Sequence, residues 1–143
     1  MHRPVILVGH SMGSRVGLHA ALAPGAAAAH AIAGVVCLSF PLIGANGDMR
    51  DAVLRAAAGA PALPVLLCQG TRDRMSPRAQ LAPLVALLRA GHPSSELHEV
   101  VDGDHALTVS KTYCKREGTT QERVDAATVC AIRTFIAAIT TRV

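Results

Sequence analysis

Three residues whose side chains can cooperate in acyl transfer are spread along the chain. Ser11 lies in the motif Gly9-x-Ser11-x-Gly13, Asp73 follows Gly-Thr-Arg, and His105 follows Asp-Gly-Asp. A serine hydroxyl is a weak nucleophile unless a histidine takes its proton, and a carboxylate can hold that histidine in the required tautomer. The order serine, aspartate, histidine therefore indicates attack by Ser11 on a carbonyl carbon.

The segment around Ser11 predicts a sharp turn between a strand and a helix. Residues 5–8 are a continuous apolar run typical of a buried strand, and a helical pattern continues from Met12 to Leu22. Such a turn lifts the serine hydroxyl above the sheet and directs the backbone N–H of Met12 towards a developing oxyanion. We expect the glycines at positions 9 and 13 to leave room where a Cβ would clash. A glycine-rich turn with a packing role alone is the alternative interpretation.

The other candidate residues also have structural interpretations. Asp73 could be a turn or capping residue, and His105 could form a surface ion pair with Asp102 or Asp104. His10, beside the serine, is interpreted as structural. What favours catalysis is the joint placement of the serine, the aspartate and the histidine, since each directly follows an apolar run.

The apolar runs predict an α/β fold with a parallel sheet of about four strands and helices on both faces. The runs are short, continuously apolar and separated by helical patterns, which is typical of strands buried on both faces. The predicted strands are Val5–Val8, Gly34–Phe40, Pro64–Gln69 and Leu97–Val101.

Four helices are predicted from apolar spacing and capping signals. They are Met12–Leu22, Met49–Ala58, a helix capped by Ser76 that ends near Gly91 and is kinked or restarted at Pro83, and a last helix that begins with a capping box from Thr119 to Glu122. Residues 26–33 and the stretch through Lys111 and Gly118 are expected to be connections. The buried face of the last helix is predicted to contain Val124, Thr128, Ile132, Ile136 and Ile139.

Length and composition indicate one globular domain spanning residues 1–143. Half of the residues are hydrophobic and 17% are charged, so the chain can bury a core. The net charge of +4 is mildly basic, and its one local cluster is Lys111, Lys115 and Arg116. Because only 2% of the residues are aromatic, stacking on bases is disfavoured and nucleic acid is not the expected partner. No run is long enough to span a bilayer.

Neither the cysteines nor the histidines show the spacing of a metal site. Two of the four cysteines lie in apolar strand-like runs, where a thiol behaves as a small hydrophobic side chain. The cysteines are Cys37, Cys68, Cys114 and Cys130. We predict that all four are reduced and that the protein is intracellular, in the cytoplasm or nucleus, without a metal or cofactor.

Four segments together resemble one family of α/β-hydrolase-like proteins. They are Gly-His-Ser-Met-Gly-Ser-Arg, Val-Cys-Leu-Ser-Phe-Pro-Leu, Pro-Val-Leu-Leu-Cys-Gln-Gly-Thr-Arg-Asp and Gly-Asp-His-Ala-Leu-Thr-Val-Ser-Lys. The family includes testis-expressed protein thirty and the third regulatory subunit of the NSL histone-acetyltransferase complex. The resemblance implies an α/β-hydrolase core, and it places the nucleophile, acid and base on Ser11, Asp73 and His105.

Two functions from different classes follow. The first is a serine hydrolase that acts on an ester, thioester or amide bond of a small acyl substrate. The second is a non-catalytic interaction or scaffold domain, because the NSL subunit is a scaffold that has lost the serine and also resembles this chain at residues 115–118.

The start of the chain departs from the family pattern. Family members carry several strands before the serine turn, which here begins at Gly9. Those strands would supply a second oxyanion donor and would flank the first strand. We therefore expect the carboxyl-terminal portion of a hydrolase fold, with weakened or absent catalysis. Residues Pro4–Val8 would then be an exposed apolar edge through which the chain self-associates or binds a protein partner.

Overall fold

Four strands form one parallel sheet in the computed structural model, which describes residues 3–59 and 61–141. The strands are β1 (Val5–His10), β2 (Ile32–Leu38), β3 (Val65–Gly70) and β4 (Glu96–Val100). They lie in the order β1-β2-β3-β4, and each neighbouring pair is parallel. The predicted sheet is confirmed, and the strand bounds lie within about two residues of the predicted ones.

Within the part of the chain that the structure describes, six helices connect and cover these strands. They are α1 (Met12–Leu22), α2 (Ala26–His30), α3 (Ala52–Ala57), α4 (Arg78–Gly91), α5 (Lys111–Glu117) and α6 (Gln121–Thr140). Among the described residues, no helix combines the length and the apolar character that crossing a membrane requires.

Two of the helices replace connections expected from the sequence. Residues 26–30 form α2, and Lys111–Glu117 forms α5. The hydroxyl of Ser110 caps α5 by accepting a hydrogen bond from the Tyr113 N–H at 3.1 Å, and Gly118 ends the helix with a left-handed φ of 61°. A serine cap and a glycine end are the signals that make so short a helix possible.

The capping predictions were wrong at two helices. The cap of α6 is Thr120 and not Thr119, and its hydroxyl accepts from the Arg123 N–H at 3.3 Å. Because an arginine cannot return the acceptor of a capping box, the predicted box is replaced by a single threonine cap. Ser76 does not cap α4. It is buried, donates to the carbonyl oxygen of Phe40 and accepts from the Leu42 N–H at 3.2 Å.

Two further helix details differ from expectation. Pro83 lies inside α4, which runs from Arg78 to Gly91, so of the two predicted effects of this proline the restart is wrong. The helix α3 begins later than predicted, because Met49 pairs with Ile43 in an antiparallel bridge that closes the preceding loop.

Alternating side chains divide the core between the two faces of the sheet. Val35 and Cys37 of β2 lie in the cluster with α1, α3 and α4, whereas Val36 lies on the opposite face with Phe135 of α6. The prediction of helices on both faces is thus confirmed. The predicted face of α6 is also confirmed, with Thr128 buried and the other predicted residues partly buried.

The strand β1 lies at one edge of the sheet, as predicted. Its residues Val8 and Val5 are 56% and 39% exposed. The backbone N–H of Val5 donates to Ala31 of the neighbouring strand region at 2.9 Å, so by alternation the N–H groups of Ile6 and Val8 face outward.

The four cysteines are free thiols, and two of them are buried in the sheet. Burial raises the pKa of the Cys68 thiol to about 12, and burial followed by the proximity of Cys68 raises the pKa of Cys37. Cys130, on α6, is exposed. The buried pair therefore stays protonated and serves as core.

Candidate active site

Ser11 occupies a strained position between β1 and α1. Its φ of 52° and ψ of −117° fall in a region that residues with a Cβ seldom adopt, at a cost of roughly 1–3 kcal/mol. The turn is held by the Ser11 N–H, which donates to Leu38 at 2.8 Å, and by the hydroxyl of the buried Ser14, which donates to the Ser11 carbonyl at 2.5 Å. Although Ser11 is the helix cap, its own hydroxyl makes no capping bond and is available for another partner.

The two glycines of the motif have different roles. A Cβ at Gly9 would lie 2.6 Å from the backbone nitrogen of Ser14 and closer still to Gly13, so the turn requires glycine there. A Cβ at Gly13 would have no described atom within 4 Å apart from its chain neighbours and the backbone of its own helix. The expectation that both glycines are needed for space is therefore wrong for Gly13, because its side-chain direction points away from the rest of the fold.

The three candidate residues meet at the carboxyl ends of the strands. The Oγ of Ser11 lies 2.8 Å from Nε2 of His105, and Nδ1 of His105 lies 2.8 Å from Oδ2 of Asp73. The Asp73 side chain is fully buried, while that of His105 is one-third exposed. With a proton on Nδ1 facing the carboxylate, Nε2 is left as an acceptor towards the serine hydroxyl.

The buried carboxylate of Asp73 is held by further donors. Its Oδ2 accepts from Nε2 of Gln69 at 2.5 Å, and its Oδ1 accepts from the Met75 N–H at 2.9 Å. Hydrogen bonds of this kind compensate for the loss of water around a buried charge.

The loops that carry Asp73 and His105 are joined to each other. Gly70 and Gly103 approach so closely that a Cβ at Gly70 would lie 2.5 Å from the carbonyl carbon of Gly103. The Arg72 N–H donates to the Gly103 carbonyl at 2.8 Å, and the Asp102 N–H donates to Oγ1 of Thr71 at 2.9 Å. These contacts set the distance between the aspartate and the histidine.

The neighbouring aspartates have partners other than His105. Asp102 accepts from the Ser110 N–H at 2.7 Å and pairs with Nε of Arg72 at 3.2 Å, and these two contacts hold the pKa of its carboxyl below the usual value. Asp104 accepts from the N–H groups of Ala106 and Thr108. The alternative of a surface ion pair between His105 and either aspartate is therefore wrong.

His10 and Met12 lie on either side of the serine. His10 lies with Nε2 3.2 Å from the carbonyl oxygen of His105, and the two ring centroids are 5.7 Å apart, so it contacts the histidine loop. Met12 is the first residue of α1, where a backbone N–H has no helical acceptor.

Sequence reasoning missed Gln69 and Ser14. Gln69 is a buried polar side chain at the end of the apolar run of β3, and that break in the pattern was the available signal. Ser14 carries no such signal, because a serine in the first turn of a helix is ordinary.

No metal centre is evident among the described residues, because no three or more histidine, cysteine, aspartate or glutamate side chains are grouped to hold one. An open apolar cavity of about 790 Å³ lies beside Val5 and Ile32, which begin β1 and β2. It is thus at the opposite end of the sheet from Ser11.

Comparison with known proteins agrees with this architecture. Residues 1–137 match the family model of the alpha/beta hydrolase domain. The chain belongs to this α/β-hydrolase domain family. The α/β-hydrolase domain described here is also similar in fold to the crystal structure of TT1662 from Thermus thermophilus, with a TM-score of 0.55 and 19% sequence identity. The match covers 92% of this chain and 54% of TT1662, so this domain spans about half the length of that protein.

Proposed function

We propose that this α/β-hydrolase domain is a serine hydrolase that cleaves an ester, thioester or amide bond of a small acyl substrate. The observation that carries the proposal is the continuous hydrogen-bond chain from Ser11 through His105 to the buried Asp73. Each of its two hydrogen bonds measures 2.8 Å, within the range of well-formed bonds.

In the proposed reaction, Ser11 Oγ attacks the carbonyl carbon while Nε2 of His105 takes the hydroxyl proton. Asp73 stabilises the imidazolium that forms, and the Met12 N–H donates to the oxyanion. His105 then returns the proton to the leaving group, which leaves an acyl group on Ser11. A water molecule that gives its proton to His105 hydrolyses this acyl-enzyme and restores the serine.

Within the family, we place the chain near testis-expressed protein thirty and the third NSL subunit. The segment from Gly103 to Lys111 supports this placement, because it is the most specific of the four segments that resemble these proteins. We also propose that residues 1–143 act as one domain and that the protein is located in the cytoplasm or nucleus. The four free thiols support this location.

A fluorophosphonate probe tests the catalytic proposal. We expect the folded wild-type chain to be labelled at Ser11, Ser11→Ala to be unlabelled, and Ser94→Ala to be labelled at the wild-type rate. His105→Ala should label about 10²–10⁴-fold more slowly, because it removes the general base. A folded wild-type chain that stays unlabelled would show that the proposal is wrong.

The alternative, a scaffold domain, is favoured by the surface of α5. None of the seven residues of this helix is fully buried, and three of them, Lys111, Lys115 and Arg116, are basic. A protein partner that is captured equally by wild type and Ser11→Ala, and lost when these three residues are changed to glutamate, would support it. Loss of partner binding in Ser11→Ala alone would argue against it.

Self-association is proposed through the exposed edge of β1, with a second copy of the chain as the partner. The outward N–H groups and the exposed Val5 and Val8 make this edge a template for another strand. Sedimentation should show Val8→Lys at a lower mass than wild type. Val129→Lys, a control at a valine on α6 that is 54% exposed, should behave as wild type. A wild-type monomer would contradict the proposal.

A further inference from the structure

Gln69 is a buried polar residue that the proposed reaction does not use directly. It lies near the end of β3, is 4% exposed, and donates a hydrogen bond from Nε2 to Oδ2 of Asp73 at 2.5 Å. The same Oδ2 atom accepts from Nδ1 of His105. The amide of Gln69 is therefore connected through this one carboxylate oxygen to His105, the residue that would move the proton.

The oxygen of the Gln69 amide makes no hydrogen bond that stabilises the described fold. Its Oε1 is buried and has no hydrogen-bond partner among the residues that the structure describes. An amide present to satisfy buried backbone groups would be expected to pair at both ends, because an unpaired buried carbonyl is destabilising. Its described side-chain hydrogen bond is with Asp73, which indicates that a glutamine is present at this position to make that contact.

The carboxylate of Asp73 is clamped from two directions. The Met75 N–H, in the same loop, holds Oδ1 at 2.9 Å, whereas Gln69 holds Oδ2 from a strand. Gln69 lies in register with Glu99 of β4, within the paired part of the sheet. The strand is the more rigid support, because its backbone is hydrogen-bonded to neighbouring strands, whereas loop backbones are generally more mobile.

We infer that Gln69 is a positioning residue that holds Oδ2 of Asp73 towards Nδ1 of His105. Without this donor, the described hydrogen bonds leave the carboxylate with one backbone N–H besides His105 itself, and it can turn about its Cβ–Cγ bond. The imidazole then loses its orientation and its preferred tautomer, which leaves the Ser11 hydroxyl without a well-placed base. This inference rests on the proposed function.

Rates of fluorophosphonate labelling test the inference in two backgrounds. Gln69→Met keeps the side-chain length without a donor, and we expect it to slow labelling of Ser11 by about 10- to 100-fold, the effect of one lost hydrogen bond to a charged group. In an Asp73→Ala background the same change should have an effect of less than about twofold, because the partner is already gone. A slowing that is equal in both backgrounds would show a structural role and overturn the inference. Leu67→Met, in the same strand, is the control.

A second readout separates this inference from the proposed function. The proton resonance of the His105 Nδ1–H reports its bond to Asp73 whether or not the chain is labelled. We expect it to shift or broaden in Gln69→Met and in Gln69→Asn, which withdraws the donor by one methylene group, but not in Leu67→Met. If wild type is unlabelled and the resonance responds, the proposed function fails while the positioning role stands. An unchanged resonance in whichever Gln69 variant folds overturns the inference.

Discussion

Gly70→Ala is the substitution that most directly tests how the two loops set the site. The added Cβ would lie 2.5 Å from the carbonyl carbon of Gly103 and from the carbonyl oxygen of Asp104. All of these neighbours are backbone atoms, so no side chain can turn away. To reach a tolerable contact, the loop that carries His105 must move by about 0.5–1 Å.

A movement of this size is large compared with the contact it would disturb. The bond from Nδ1 of His105 to Asp73 is 2.8 Å, and lengthening it by about 0.5–1 Å takes it to or beyond the limit of a hydrogen bond. We expect labelling of Ser11 to slow by about 10²-fold, the typical effect of a 1 Å misplacement. Overpacking should also lower the free energy of unfolding by about 1–3 kcal/mol.

The assay compares Gly70→Ala with Gly13→Ala by fluorophosphonate labelling and urea denaturation. Gly13 is the matched control, because its Cβ position is open and because alanine favours the helix by up to about 1 kcal/mol. We therefore expect Gly13→Ala to be at least as stable as wild type. If Gly70→Ala is as stable as Gly13→Ala and labels equally fast, close packing of the two loops does not determine the position of His105.

Three further predictions concern strain, pH and thiol reactivity. Ser11→Gly should be about 1–3 kcal/mol more stable in urea than Ser11→Ala, since glycine adopts this backbone without strain; equal stability would show that the turn is unstrained. Burial lowers the pKa of His98, so the folded state binds fewer protons than the unfolded chain and stability should fall as the pH drops below 6.5. Urea denaturation at several pH values should show a smaller fall in His98→Gln, and an identical fall would contradict this reasoning. A thiol reagent should modify the exposed Cys130 in the folded protein, while Cys37 and Cys68, whose thiol pKa values burial raises, react only on unfolding; mass spectrometry decides.

The sequence by itself determined the sheet and the residues that meet at its end. Continuous apolar runs predict strands through local signals, and parallel strands bring their carboxyl ends to one edge whatever their separation along the chain. For that reason the placement of Ser11, Asp73 and His105 could be predicted from order alone, while their chemical role remains the proposal. The short helix α5 was missed because its residues bury no apolar face and so carry no period.

The tertiary structure alone decided what surrounds these residues. Gly70 meets Gly103 because the register between β3 and β4 brings together loops some 30 residues apart. The amide of Gln69 reaches Asp73 because the loop after β3 turns back, with the Asp73 N–H donating to the carbonyl oxygen of Gly70 at 3.2 Å. It also decided that Gly9 needs to be glycine for space and that Gly13 does not, although the motif names both. A sequence specifies which side chains follow each strand. The distances between them depend on strand register and on backbone contacts, which no local pattern records.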